Sequence, residues 1–262
     1  MVDRLAARPL IISHGSIAFD QVRFHYGKDS GVLDDLSLTI APGEKVGLVG
    51  PSGAGKSTVV NLLLRFYDIH KGSILLDGVD VKHMMLTDLR NRIGLVLQDV
   101  FLFSGSVEQN ITLDNQEISI DQVKAAATAI GAAGFINRLP TKYEYEVRER
   151  GMSLSYGQRQ LLSFARALVY DPGILVLDEA TSSVDTETEE IIQTGLKTLM
   201  KGRTTVAIAH RLSTVQHANQ ILVMHHGTVR ERGNHQQLLA QDGLYRRLYE
   251  LQYRDQEKAL LA

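Results

Sequence analysis

The chain has 262 residues, enough for one large domain or a core with a subdomain. Hydrophobic residues make up 44% and charged residues 22%, the mix of a globular protein with a sizeable core. Lys plus Arg number 28 against 30 Asp plus Glu, so bulk charge gives no sign of nucleic-acid binding, and the lack of cysteine excludes disulfides and thiolate metal sites.

Residues 1–14 read as a linker, without the long apolar stretch of a secretory signal. No run in the chain approaches the roughly 18 apolar residues of a membrane helix. The chain is therefore expected neither to span a membrane nor to be secreted, while still able to dock on one. Residues 16–26, SIAFDQVRFHY, alternate apolar and polar and predict a half-buried strand. VLDDLSLTI behaves the same way and APGE makes a turn. KVGLVG predicts a short buried strand that runs into a Gly-rich loop, and KSTVVNLLLRFY follows with helical spacing. GSILLDG and RIGLVLQD predict further strands.

From about residue 101 to 170 the texture turns helical, in SVEQNI, SIDQVKAAATAI and GFINRL, and predicts an inserted helical subdomain. Within it SLSYGQRQ opens a helix that continues through LLSFARAL. A helix start presents free N–H groups and a positive dipole end, which suit an anion. GILVLDEA, a helix over TETEEIIQTGLKTLM, and RTTVAIAH then restore the strand–helix alternation of a parallel sheet. NQILVMHHGTVRERG predicts a hairpin turning at His226–Gly227, and the tail predicts two helices broken at Gly243.

One stretch carries chemistry outright. Gly50, Pro51, Ser52, Gly53, Ala54, Gly55, Lys56 and Ser57 fit G-x-x-x-x-G-K-[ST] and lie between a predicted strand and a predicted helix, with Thr58 following. Glycines let backbone N–H groups point inward around phosphate oxygens, Lys56 can reach the outer phosphates, and the Ser57 hydroxyl can hold Mg²⁺. A second stretch, ILVLDEATSSVD, places Asp178 at the C-terminal end of a buried strand, where it can bind Mg²⁺ directly or through water. Glu179 next to it can polarise a water as general base. Acidic enrichment at a helix start would explain either carboxylate alone, but not both after four apolar residues.

Phosphate loop, LSYGQ and LVLDEATSSVD, in this order and over residues 14–250, resemble an ABC-type ATPase, the nucleotide-binding domain of ATP-binding cassette transporters. The resemblance implies an α/β, RecA-like P-loop NTPase core with a mainly parallel sheet, an N-terminal antiparallel β subdomain and an inserted α-helical subdomain. It implies an ATPase domain over 15–250 and a helical tail over 251–262. It also implies that two cassettes pack head to tail around ATP and Mg²⁺. Ser155, Tyr156, Gly157 and Gln158 would then serve the partner's nucleotide, which gives the second anion-seeking helix start its anion.

Other positions follow from the same resemblance. Tyr26 would stack on adenine, where otherwise it would cover a sheet edge. Gln98 would reach Mg²⁺ and the attacking water, His210 would contact the γ-phosphate, and Asp185 would lie in the loop that crosses the dimer interface. Taken alone, Asp185 is an ordinary helix cap and His210 an ordinary structural histidine.

QDVFLFSGSVEQNI, EVRERG, AHRLST and LYRRLYELQ resemble the exporter branch, implying a transmembrane domain whose coupling helices touch the cassette, on the cytoplasmic face of the cell (inner) membrane. That domain would be a separate chain, or the present chain an excised cassette. Tyr156 stands where the family usually has glycine, and Arg148 where exporters often do. An intact Glu179 and His210 beside Tyr156 would fit a heterodimeric exporter. Alternatives are a soluble nucleotide-gated dimerisation module and a P-loop kinase. A chromosome-organising ATPase would need long heptad segments between the phosphate loop and LSYGQ, which are lacking here. Cargo is not readable.

Overall fold

The computed structural model describes residues 15–27, 31–148, 151–178, 186–209 and 212–260, the side chains of 186, 187, 213 and 253–260 aside. The described residues of 1–93 and 203–262 form one compact unit and those of 94–202 a second.

In the first unit, β1 (Ile17–His25) pairs antiparallel with β2 (Gly31–Ile40). Alternation would send every second residue inward, yet Ile17 and Phe19 are buried and so are Val22 and Phe24. Gln21, with φ +47°, inserts the extra residue of a bulge that restores the pattern beyond it. Then come β3 (Lys45–Val49), α1 (Lys56–Leu63), β4 (Lys71–Leu76), β5 (Val79–Asp80), a 3₁₀ turn over Val81–His83, and α2 (Leu86–Asn91). An antiparallel sheet of four strands runs in the order β2-β1-β4-β5.

The second unit holds β6 (Ile93–Val96), β7 (Gly105–Ser106), α3 (Val107–Thr112), α4 (Ile120–Ile130), α5 (Ala133–Ile136), β8 (Glu146–Val147), α6 (Tyr156–Val169), β9 (Ile174–Asp178) and α7 (Thr186–Met200). Three of these helices, α3, α4 and α6, start behind a serine cap. Ser106 with Gln109, Ser119 with Gln122 and Ser155 with Gln158 each form a capping box, in which serine accepts from the glutamine amide and glutamine from the serine amide.

α6 lies among α3, α4 and α7 with Phe164 fully buried. A Cβ on Gly195 of α7 would lie 2.8 Å from the Ile130 carbonyl oxygen, so glycine sets how near α7 comes to α4. The ribbon β7–β8 has two residues per strand and gave no period-2 signal in the sequence.

Two polar side chains, the buried Asn110 and the half-buried Arg166, tie this unit together. Asn110 Nδ2 donates to the carbonyls of Phe103 and Ser106 at 2.9 and 3.1 Å, and its Oδ1 accepts from the Phe103 amide at 2.8 Å. Arg166 Nε donates to the Asn110 carbonyl at 2.8 Å and Nη1 to that of Phe101 at 3.2 Å. Burial holds the Arg166 guanidinium below its ordinary pKa.

The chain returns to the first unit with β10 (Thr204–Ile208), β11 (Gln220–His225), β12 (Thr228–Gly233), α8 (His235–Ala240) and α9 (Leu244–Leu260). β3 lies parallel between β10 and β11, giving the order β12-β11-β3-β10 within this unit. The hairpin turns as predicted, at His226 (φ +47°) and Gly227 (φ +74°), both positive as a two-residue type I′ turn requires. Val49, Leu212, Ile221, Val223, Leu238 and Tyr245 form a buried cluster against β3 and β11. Glu231 on β12 accepts from the amides of Leu244 and Tyr245, placing a carboxylate at the N-terminus of α9. Among the described residues, no helix is long and apolar enough to cross a membrane.

Candidate functional site

The loop between β3 and α1 is shaped by its glycines. Gly50 has φ +147°, and a Cβ there would lie 2.2 Å from the Met224 carbonyl oxygen of β11. No side chain fits, so the chain can leave β3 and turn back toward α1 only through glycine. Gly55, in the left-handed region, then caps α1 without a side-chain hydrogen bond. The N-terminal amides of α1 are thus left to an anion rather than to a capping oxygen.

Lys56 opens α1 and is buried, 6% exposed. Its Nζ donates to the Gly50 carbonyl at 2.8 Å and to that of Pro51 at 3.1 Å, so the ammonium sits over the loop mouth. Ser57 beside it is exposed and Thr58 is buried. Residues 52–58 line a cavity of about 340 Å³ with Tyr26 and Val32.

Tyr26 stands at the rim, 49% exposed. Its ring lies nearly perpendicular to Phe24, at 4.8 Å between centroids, and to Tyr67, at 5.0 Å. Its hydroxyl is 3.2 Å from Thr58 Oγ1 and accepts from Asn61 Nδ2 at 3.3 Å. A strand-end aromatic is thereby fixed beside the phosphate loop. The sequence reading missed Asn61 and Tyr67, though Asn61 lies three residues beyond Thr58 and so on the same helix face.

In the second unit Asp178 ends β9, half-buried after Ile174–Leu177, each at most 3% exposed. Gln98 lies exposed in the segment after β6. Ser155 caps α6. Its Oγ accepts from Gln158 N at 3.2 Å, and Gln158 Oε1 from Ser155 N at 2.9 Å. Both bonds use acceptor atoms, so the serine O–H and the glutamine NH₂ remain donor groups at the helix start. Tyr156 is half-buried, its hydroxyl donating to the Gln98 carbonyl at 3.2 Å, and Gly157 is buried. Glu179, Asp185 and His210 lie outside the described residues.

A cradle that glycine alone fits, a lysine over its mouth and helix amides without a protein cap suit the phosphates of a nucleotide. Each unit by itself carries oxygen donors of the hard kind that Mg²⁺ takes, the Ser57 hydroxyl in the first and the Gln98 amide and Asp178 carboxylate in the second. Among the described residues no three His, Asp or Glu side chains cluster to hold a metal by themselves. Mg²⁺ needs no such cluster when phosphates and waters complete its shell.

Fold and loop together define a P-loop NTPase of α/β architecture. Residues 33–182 match the family described as ABC transporter, and the chain belongs to that family. It is 50% identical over 240 residues to the Bacillus subtilis uncharacterized ABC transporter ATP-binding protein YknV, covering 92% of this chain and 40% of that protein. It is 48% identical to YheH of the same organism, a probable multidrug resistance ABC transporter ATP-binding/permease protein, covering 91% of this chain and 35% of YheH. The solved structure of a bacterial Atm1-family ABC exporter with ATP bound matches with a TM-score of 0.90 and 44% identity, over 96% of this chain and 44% of that one. This chain therefore spans less than half the length of these relatives.

Proposed function

We propose that this chain is the ATP-hydrolysing cassette of an exporter, working as one of a head-to-tail pair around ATP and Mg²⁺. The observation that carries the proposal is the loop from Gly50 to Thr58, with the buried Lys56 held over its mouth, in a chain of this family. Its loop amides and Lys56 hold the phosphates and Tyr26 stacks on adenine. Ser57, Asp178 and Gln98 would hold Mg²⁺, which would neutralise charge on the outer phosphates. Glu179 takes the proton of the attacking water, Gln98 orients that water, and His210 contacts the γ-phosphate.

Ser155, Tyr156, Gly157 and Gln158 cover the nucleotide of the partner cassette, and Asp185 lies in the loop that crosses to it. ATP then joins the pair and hydrolysis weakens the joint. Residues 1–14 serve as the linker to the membrane part, 15–250 as the ATPase domain with a helical subdomain near 101–170, and 251–262 as a tail. The cassette works on the cytoplasmic face of the cell membrane, against the coupling helices of a transmembrane domain. Tyr156 beside an acidic pair fits a second cassette of different sequence.

The test is Glu179→Gln. Supplied with ATP and Mg²⁺, this variant is expected to form a stable dimer by light scattering and to lose turnover by about a hundredfold or more. Turnover at the parent rate would remove Glu179 as the base. Full-rate hydrolysis by this chain alone, unchanged by any partner cassette, would remove the heterodimer.

A further inference from the structure

Tyr156 is the residue by which this chain departs from a glycine-rich helix start, and its side chain is engaged within its own unit. It is the first residue of α6. A side chain there leans back over the turn N-terminal to its own Cα, away from the helix body. The phenol thereby reaches the segment after β6, where its hydroxyl donates to the carbonyl oxygen of Gln98 at 3.2 Å, across 58 residues of chain.

The ring is held from the helix side as well. The Arg159 guanidinium carbon lies 5.8 Å from the Tyr156 ring centroid, and Arg159 Nη1 donates to the Leu154 carbonyl at 2.7 Å. A cation placed by a backbone carbonyl thus sits against the aromatic face. With the Ser155–Gln158 capping box fixing the backbone of the first turn, the phenol projects from a rigid base. Glycine at 156 would have no atom to reach Gln98.

The geometry points to Tyr156 as a positioning residue for Gln98. It ties the backbone that carries Gln98 to the first turn of α6, so that both move as one piece. The consequence for hydrolysis rests on the reading above, in which Gln98 orients the attacking water. A segment held by one bond to its carbonyl samples fewer alternatives, so Gln98 is presented more of the time. The partner's nucleotide, seated on the start of α6, would be felt at Gln98 through the same tether. Tyr156 is then more than a bulky lid over the opposite site.

Tyr156→Phe deletes the hydroxyl and keeps the ring against Arg159. Hydrogen exchange is compared first in dilute, nucleotide-free protein, where no partner nucleotide exists to confuse the effect. Amides of residues 97–101 are expected to exchange about fivefold faster in the variant, the loss of one modest hydrogen bond, while those of α6 stay unchanged. ATP turnover is measured next, with an expected fall in kcat of about fivefold and a KM for ATP within about twofold of the parent. In a Gln98→Ala background the further change to Phe is expected to have no effect on kcat, because the side chain that the tether presents is already gone.

Unchanged exchange at 97–101 overturns the tether. Faster exchange with unaltered kcat, or effects that multiply in the double variant, overturns its role in positioning Gln98. A parent chain that hydrolyses no ATP either alone or with a partner cassette would instead sink the ATPase reading, with the exchange comparison still deciding whether the tether exists.

Discussion

Lys56 Nζ donates to the carbonyl oxygen of Gly50 at 2.8 Å, folding the side chain back over the loop it follows. Its bonds to the Gly50 and Pro51 carbonyls hold the ammonium against the loop that would cradle phosphate. Lys56→Met keeps the length and removes the charge. It is expected to weaken ATP binding by about a hundredfold or more, as charge-assisted bonds to phosphate are lost. Titration with a fluorescent ATP analogue reads this directly, and affinity within threefold of the parent would contradict the role.

Two glycines of the loop should respond differently to the same change. A Cβ on Gly50 would meet the Met224 carbonyl oxygen, whereas one on Gly53 meets nothing within 4 Å. Both have positive φ. Gly53→Ala should therefore cost only about 1–2 kcal/mol of backbone strain, and Gly50→Ala distinctly more. Urea unfolding of the two variants compares them, and equal midpoints would show that backbone angle alone sets the cost.

Tyr26 separates ring from hydroxyl. Tyr26→Phe loses the bonds with Thr58 and Asn61 but keeps the ring beside Phe24 and Tyr67. Its ATP affinity should change by less than about threefold, whereas Tyr26→Ala should lose about tenfold, an aromatic pair being worth about 1 kcal/mol beyond its area. The Ala variant should also discriminate less between ATP and inorganic triphosphate. Calorimetry with both ligands tests this, and equal losses for the two would argue against base stacking.

Asn110 satisfies three backbone groups around Phe103 and Ser106 from a site 1% exposed. Asn110→Leu orphans them, at about 1–3 kcal/mol for each group left without water. The variant should unfold at clearly lower urea concentration. An unchanged midpoint would mean that water replaces the amide.

Stability should also fall in alkali. Burial, with Tyr249 adding to it, pushes the Tyr245 phenol from its ordinary 10.0 up to about 12. The folded chain therefore keeps this proton to higher pH than the unfolded chain. The stabilisation is whole below about pH 10 and is lost as pH rises from there toward 12. Urea unfolding at about pH 8 and about pH 11 should show a loss that Tyr245→Phe reduces, and the same loss in both proteins would assign it elsewhere.

Much of this architecture was legible along the chain. The predicted helix over residues 186–200 is α7, and the hairpin turns at His226–Gly227. The helix expected from SLSYGQRQ starts at Tyr156 behind its Ser155 cap. What escaped was short or irregular. The β7–β8 ribbon is too brief to show a period, and the bulge at Gln21 interrupts an alternation that the sequence suggested was continuous. Asn61 and Tyr67 were unread because neither belongs to a motif, and only folding sets them against Tyr26.

By itself the sequence determined the phosphate loop, the helix start in SLSYGQRQ and the hairpin at His226–Gly227. Glycine conformation and serine–glutamine capping act over a few bonds, so local residue order suffices. Only the tertiary structure decided why Gly50 admits no side chain and what Tyr156 touches. Met224 and Gln98 lie far from them along the chain, and steric exclusion and hydrogen bonding act only at contact, which the packing of strands and helices creates.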